Sequence, residues 1–433
     1  MYQAEYRKKR ITPQEAAQRI AHSSTLVHGM AAGEPPALLE AVAGRVRAGD
    51  LRGLSVYSLL PMAHAARTVL APDLCDQVDS YAWFVSPSDR GMVQAGLSGF
   101  VPNVFHEVPR LCRDFMEIDV VITAVSPMDK AGFFTFGAVN DYITTAARHS
   151  KTLMVEVNPN MPRVFGESLL HISEVDAVVE NEAPLMEIKP SAPMPEAEPI
   201  GRAIAELVPD GATIQLGIGA IPNAVCSYLE GHQDLGIHTE LFCPGMVDLI
   251  RKGVVNGRRK NLHPWKHVFT NALGDVDMYA FMNDNPSMES YPVSYTNAPE
   301  VIAQNENMIS INSTLEVDLL GQCNSESLGG FEFSGTGGQL DYVRGAFNSK
   351  GGKSFIAFYS TAHDGEVSRI VPRFEPGAVV TTPRMDTHYL ATEYGVVNLK
   401  GKSARQRALD IIGLAHPRFR DELQRAAEDL RIV

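Results

Sequence analysis

Glu240 stands in the stretch Gly236-Ile-His-Thr-Glu-Leu-Phe-Cys-Pro-Gly-Met-Val-Asp-Leu249. Ile237 to Phe242 reads as a short strand, Pro244-Gly245 as a turn, and Met246 to Lys252 as a helix. That pattern leaves Glu240 near a strand end, where open α/β sheets place their ligands. A glutamate there can carry a proton or attack an activated acyl group as a nucleophile. Two glycine-bearing stretches could serve it. In Ile214-Gln-Leu-Gly217-Ile218-Gly219-Ala220-Ile221, a strand turns into a helix whose first amides would suit a pyrophosphate or an oxyanion. It is not a dinucleotide fingerprint, because Pro222 stands where the third glycine would be. In Ser334-Gly335-Thr-Gly337-Gly338-Gln339, three glycines in four residues let something pass close to the backbone. An oxyanion hole for attack on a thioester or anhydride needs such a loop. One carboxylate and two glycine loops make a candidate site for acyl chemistry.

Blander readings of the same residues stay open at this level. Glu240 is one of 51 acidic residues and could be a solvated strand end, and Gly217-Ile-Gly219 could be only a tight turn. His232, His238 and Glu240 match no usual zinc spacing, so no metal is expected. Cys243 suits a buried structural thiol better than a nucleophile, and Lys350-Gly-Gly-Lys353 suits a solvated turn.

The elements that must position these residues follow from the whole chain. Its 433 residues exceed one core and suggest two or three domains. With 45% apolar and 21% charged residues, the composition is that of a soluble globular protein. A net charge of −13 argues against a nucleic-acid surface and supplies no polybasic membrane anchor. No run of about eighteen apolar residues suggests a membrane span. Five scattered cysteines without a CxxC pair fit reduced thiols, hence a cytoplasmic protein.

Thr12-Pro13-Gln14-Glu15 opens a helix, Thr25 to His28 is a strand, and a helix runs from about Ala37 to Ala48. Leu54 to Leu60, the apolar run after Asp119, and Leu153 to Val157 are further strands, the latter two of the kind buried on both faces. Strands alternating with helices predict an α/β fold with a largely parallel sheet. The proline-rich stretch around 186–199 predicts an extended linker between a domain at 1–185 and one at 200–433. Past it the pattern restarts, with a helix from about Ile200 to Leu207 and a strand at Thr213 to Leu216. Thr25-Leu-Val-His-Gly29 lines up with Thr213-Ile-Gln-Leu-Gly217, 188 positions on. Asp129-Lys-Ala-Gly132 lines up with Asp318-Leu-Leu-Gly321, 189 positions on. Two matches at nearly one offset predict a duplicated α/β unit, with a small-ligand site between the halves.

On Gly217 to Ile221, Gly236 to Phe242, Ser310 to Ser313, Gly335 to Asp341, Ser368 to Pro372 and Thr392 to Gly395, the sequence resembles the acetyl-CoA hydrolase/transferase family of class I coenzyme A transferases. It is most similar to the 4-hydroxybutyrate and butyrate CoA-transferase branch, and Ser126 to Asp129 with Gly132 adds to the likeness. The resemblance implies two similar α/β domains with the active site between them. It implies that Glu240 is the catalytic glutamate, with Gly338 beside the thioester. Gly217, Ile218, Gly219, Ala220, Ile221, Gly337, Gly338 and Gln339 would then bind coenzyme A. CoA would be a co-substrate, transiently covalent on Glu240, with no tightly bound cofactor and no ATP. An acyl-CoA such as acetyl-CoA or succinyl-CoA would give its CoA to 4-hydroxybutyrate, butyrate or a dicarboxylate such as succinate or itaconate. Partners would be these small molecules and further copies of the chain, as a dimer or higher homo-oligomer.

One departure matters. Where relatives carry a lysine in Ser-Thr-Ala-Lys-Asp-Gly, this chain has Ser360-Thr-Ala-His363-Asp-Gly. An imidazole in that place could meet a CoA phosphate, but its charge depends on pH near neutrality. An acyl-CoA hydrolase, with water resolving the intermediate, and a non-catalytic sensor of CoA esters are the competing readings.

Overall fold

Short runs of β-branched and aliphatic residues set the strands in both halves of the chain. The computed structural model describes residues 2–188 and 194–433. These fall into two compact units. Unit 1 takes in the residues through Ile188 with Val268–Thr296 and Glu332–Gly335; unit 2 runs from Met194 to His267, with Asn297–Phe331 and Thr336–Val433.

Unit 1 is built on a parallel sheet of β1 (Thr25–His28), β2 (Leu54–Leu59), β3 (Val78–Phe84), β4 (Ser98–Phe100), β5 (Val120–Val125), β6 (Thr152–Val157) and β7 (Ala177–Glu180). Their order is β7-β6-β5-β1-β2-β3-β4, and every pairing is parallel. All six residues of β5 are buried, as a continuous apolar strand covered on both faces should be. Helix α1 (Tyr2–Lys9) docks by a Tyr6 hydroxyl bond to Glu180 at 2.9 Å. In α2 (Pro13–Gln18), Thr12 and Glu15 form the predicted capping box. Helix α3 (Pro36–Arg47) lays Leu38, Leu39, Val42 and Val46 into a core with Leu26, Val56 and Ile122. Strands at Phe165–Gly166 and Met288–Ser290 pair in parallel within the same unit.

Unit 2 repeats the plan. After α4 (Ala197–Ala205) come β8 (Thr213–Leu216), α5 (Ala220–Tyr228), β9 (Gly236–Phe242), α6 (Pro244–Arg251), β10 (Met308–Asn312), α7 (Gln339–Asn348), β11 (Lys353–Ala357), β12 (Tyr389–Thr392) and β13 (Gly395–Asn398). The strand order is β13-β12-β11-β10-β8-β9, parallel except for the β12/β13 hairpin. Thus β8 lies between β9 and β10 as β1 lies between β2 and β5. In each unit the chain reverses its direction of winding there, which opens a crevice at the carboxyl strand ends.

The turn after β5 recurs after β10. Asp129 accepts the N–H groups of Ala131 at 2.8 Å and Phe133 at 2.9 Å; Asp318 accepts those of Leu320 at 3.0 Å and Gln322 at 2.9 Å. Each turn closes on a left-handed glycine, Gly132 (φ 91°) or Gly321 (φ 87°). The short sequence match was therefore a repeated Asx turn.

Two local expectations, a helix start and a turn, need correction. Within the predicted linker 186–199, residues 189–193 lie outside the described residues. On its near side Met186 accepts the Tyr279 hydroxyl at 2.7 Å, and the Ile188 N–H donates to Gly274 at 2.8 Å. On its far side α4 begins at Ala197 rather than Ile200, because Pro199 falls in the first turn, where its missing N–H costs no bond. Pro244 is likewise not a turn residue: it occupies the first position of α6, behind Cys243 as cap. No helix among the described residues is long and apolar enough to cross a membrane.

Candidate active site

Strand β9 carries Glu240 near its carboxyl end. Ile237, His238 and Thr239 before it are fully buried, whereas Glu240 and Leu241 are partly exposed. The Glu240 carboxylate lies against the backbone of Gly338, the residue that caps α7. A Cβ built on Gly338 would stand 1.8 Å from Glu240 Oε2, 2.3 Å from Asn297 Nδ2 and 3.0 Å from Glu240 Cδ. Gly338 has φ −93° and ψ 8°, which other residues adopt, so space and not conformation demands the glycine.

Asn297, fully buried, donates its amide N–H to Glu240 Oε2 at 2.5 Å. That bond fixes the position of the carboxylate. The first amides of α7 have no acceptor within the helix and present a partial positive charge at its start. Burial holds the Tyr342 hydroxyl well above its usual range, and the nearby Glu240 charge adds to the effect.

The other glycines of the cluster have different causes. Gly337 is left-handed at φ 54°. A Cβ on Gly335 would meet the Phe84 ring at 2.9 Å. Gln339, buried, donates to the Thr382 hydroxyl at 3.0 Å, and the Thr336 hydroxyl donates to Glu326 at 2.6 Å. Both sides of the Gly337–Gly338 turn are therefore tied to the body of unit 2.

The Gly217–Ile221 loop follows β8, at the point where winding reverses. Gly219 caps α5 with φ 134° and ψ −178°, a conformation open only to glycine, and no side chain caps the helix. A Cβ on Gly217 or Gly219 would find nothing closer than Pro222 at 4.0 Å. Packing does not require these glycines; the space beside them is open, and Ile218 is 39% exposed. The Ala220 and Ile221 amides lie in the first turn of α5, where backbone N–H groups have no acceptor within the helix. Just behind, Gln215 and Asn312 exchange amide hydrogen bonds of 3.4 and 3.2 Å across β8 and β10.

His363 does not join this group by any hydrogen bond or ion pair. It sits exposed on the hairpin between Thr361–Ala362 and Val367–Ser368, with φ 51°. Lys353 is engaged with the Leu207 carbonyl at 3.1 Å, and Lys350 pairs with Glu306 at 3.2 Å. Cys243 is buried, and burial pushes its thiol up to about 11, which makes it a poor nucleophile at neutral pH. Among the described residues no group of three or more His, Cys, Asp or Glu could hold a metal ion. Sequence reasoning missed Asn297, Glu326 and Thr336. Asn297 and Glu326 stand in no spacing motif and reach the glycine turn only through the fold; Thr336 lies within the glycine cluster, and only its partner was hidden.

Comparison with known proteins identifies the family. Models of the acetyl-CoA hydrolase/transferase N-terminal and C-terminal domains match residues 1–188 and 274–427. The chain is 48% identical to succinyl-CoA:cyclohexane-1-carboxylate CoA transferase of Geobacter metallireducens, over 100% of this chain and 98% of that one. It is 43% identical to 4-hydroxybutyrate coenzyme A transferase of Clostridium kluyveri, over 96% and 97%. The crystal structure of RipA from Yersinia pestis superposes with a TM-score of 0.97 at 49% identity, over 100% of both chains. A duplicated α/β fold, a carboxylate seated on a glycine helix cap and matches along the full chain converge on one assignment: the chain belongs to the acetyl-CoA hydrolase/transferase family and is a CoA-transferase.

Proposed function

We propose that the chain moves CoA from acetyl-CoA or succinyl-CoA to a short-chain carboxylate, with Glu240 as the nucleophile of a ping-pong reaction. The acceptors we favour are 4-hydroxybutyrate, butyrate and dicarboxylates such as succinate or itaconate. The observation that carries the reading is the Glu240 carboxylate seated on Gly338, at the start of α7, with Asn297 holding one oxygen.

A Glu240 oxygen attacks the thioester carbonyl and expels CoA thiolate, leaving an acyl-glutamyl anhydride. The thiolate then adds to the glutamyl carbonyl, releases the donor acid and leaves a glutamyl-CoA thioester. An acceptor carboxylate attacks that thioester, forming a second anhydride and freeing the thiolate again. Thiolate attack on the new acyl carbon yields the product and restores Glu240. Each step passes through an oxyanion, and amides of the Gly337–Gln339 turn are the donors we assign to it. We assign CoA binding to Gly217, Ile218, Gly219, Ala220, Ile221, Gly337, Gly338 and Gln339, with His363 as a peripheral contact to a phosphate. CoA is a co-substrate throughout, and thioester exchange needs no nucleotide.

Acyl-CoA supplied without acceptor leaves CoA on Glu240, so borohydride or hydroxylamine changes the mass of that peptide alone. An active preparation whose Glu240 peptide stays unmodified would overturn the reading. A panel of the named acids against acetyl-CoA and succinyl-CoA ranks the acceptors. CoA release that is undiminished without acceptor, with no acyl exchange, would mark a hydrolase instead. We also infer domains at 1–185 and 200–433 joined through 186–199, a dimer or higher homo-oligomer, and residence in the cytoplasm, where the five cysteines stay free.

A further inference from the structure

We propose that Glu326 is a positioning residue for the transfer reaction: through the Thr336 hydroxyl it fixes the Gly337–Gly338 turn where that turn meets Glu240. The inference rests on the reading of Glu240 as nucleophile.

Glu326 is 7% exposed, and burial of a carboxylate is costly unless something requires it there. Its bonds are to hydroxyls. Thr336 Oγ1 donates to Glu326 Oε2 at 2.6 Å, and the Thr381 hydroxyl is a second partner. An O–H to carboxylate bond of that length is charge-assisted and among the stronger side-chain bonds.

The body from which Glu326 projects is rigid. Cys323 and Thr382 exchange backbone bonds of 3.0 and 3.1 Å, and the Thr381 N–H donates to the Cys323 carbonyl at 2.9 Å. Buried Asn324 accepts the Ser327 N–H at 3.0 Å and donates to the Ser327 carbonyl at 2.9 Å. The Val379 N–H donates to Ser327 Oγ at 2.9 Å. Segments 323–327 and 379–382 thus form one anchor. On the other side of the turn, Gln339 donates to Thr382 in the same anchor at 3.0 Å.

Gly337 and Gly338 have no side chains to lock themselves, and glycine has the most freedom to lose on ordering. Within the turn, the Gln339 N–H reaches the Thr336 carbonyl only at 3.4 Å. On the near side the chain is held at Ser334, whose carbonyl accepts the Val85 N–H at 3.0 Å, and the Thr336–Glu326 bond is the side-chain tie next to the two glycines. Loosening it moves the amides that face the reacting carbonyl, and an error of about 1 Å there costs on the order of 100-fold in rate.

The test measures kcat, KM for acyl-CoA and the rate of covalent labelling at Glu240 in full-length protein. Thr336→Val and Glu326→Ala should each lower kcat and the labelling rate together by about 10- to 100-fold, with KM changed less than about threefold. Thr336→Ser, which keeps the hydroxyl, should return to within about threefold of the unaltered enzyme. The double variant should be no worse than the poorer single one, because both changes cut the same tie. Normal labelling in Thr336→Val, loss in Thr336→Ser equal to that in Thr336→Val, or multiplying defects in the double variant would each overturn the proposal. A parent enzyme that is active but never labels would instead remove the reading of Glu240, and this inference would fall with it. Thermal melts of Thr336→Val within a few degrees of the parent separate a positioning role from general unfolding.

Discussion

Replacing Gly338 with alanine should disable the enzyme while leaving it folded. The added Cβ would lie 1.8 Å from Glu240 Oε2, where ordinary contact begins at 3.4 Å, and 2.3 Å from Asn297 Nδ2. Neither neighbour is an idle side chain, since the amide holds the carboxylate. Relief of the clash demands a carboxylate shift of about 1.5 Å or retreat of the turn by a similar amount. Either displaces the attacking oxygen from the oxyanion donors, and on the order of 100-fold or more should be lost from kcat. Backbone strain adds nothing, because φ −93° suits alanine. The assay is CoA exchange between acetyl-CoA and a saturating acceptor, with a thermal melt alongside. A Gly338→Ala enzyme that keeps more than about a third of parental kcat would refute the packing argument. A collapsed melting temperature would show that the residue serves the fold instead.

Glu240→Ala should abolish exchange, and Glu240→Asp, one methylene shorter, should lose on the order of 100-fold, both read as turnover and peptide labelling. Asn297→Asp replaces the N–H donor on Glu240 Oε2 with a second carboxylate, so like groups oppose each other there and kcat in the exchange assay should fall well below that of the parent. Burial pushes Glu34 up to about 7, against its usual 4.5, while it accepts the Met62 and Ala65 N–H groups at 2.6 and 3.2 Å. Its folded value lies above its unfolded one, so its stabilisation is present below about pH 4.5 and lost as pH rises through 7. Urea melts at pH 5 and pH 8 should show Glu34→Gln gaining on the parent by up to about 3 kcal/mol at the higher pH; parallel curves would deny it. Removing the turn carboxylate in Asp129→Ala or Asp318→Ala leaves two backbone N–H groups unpaired in each case and should cost about 1–3 kcal/mol by denaturant melt.

Much of this arrangement could be read before any coordinates. The strands Thr25–His28 and Thr213–Leu216 fall where the apolar runs place them, because buried parallel strands allow little else. The duplication was visible in two short matches: one is a repeated buried strand, the other a repeated Asx turn on a left-handed glycine, which is strictly local chemistry. Glu240 with Gly338 was legible because a carboxylate at a strand end and a glycine cluster each leave a mark in sequence. Asn297 and Glu326 were not. A lone amide before a short helix and one acid among many carry no periodicity, and their partners are brought near only by sheet order. The start of α4 was placed late for a related reason: prolines alone do not distinguish extended chain from the first turn of a helix.

The bare Cα at position 338 also constrains inheritance. Its occupancy by hydrogen alone makes room for a carboxylate encoded a long way upstream, so the two residues constrain each other. If Glu240 is the nucleophile proposed above, a gene copy that has acquired a larger residue at 338, while keeping the acidic one, would carry the outward features of the family without its turnover. Such copies can be recognised by inspecting two positions.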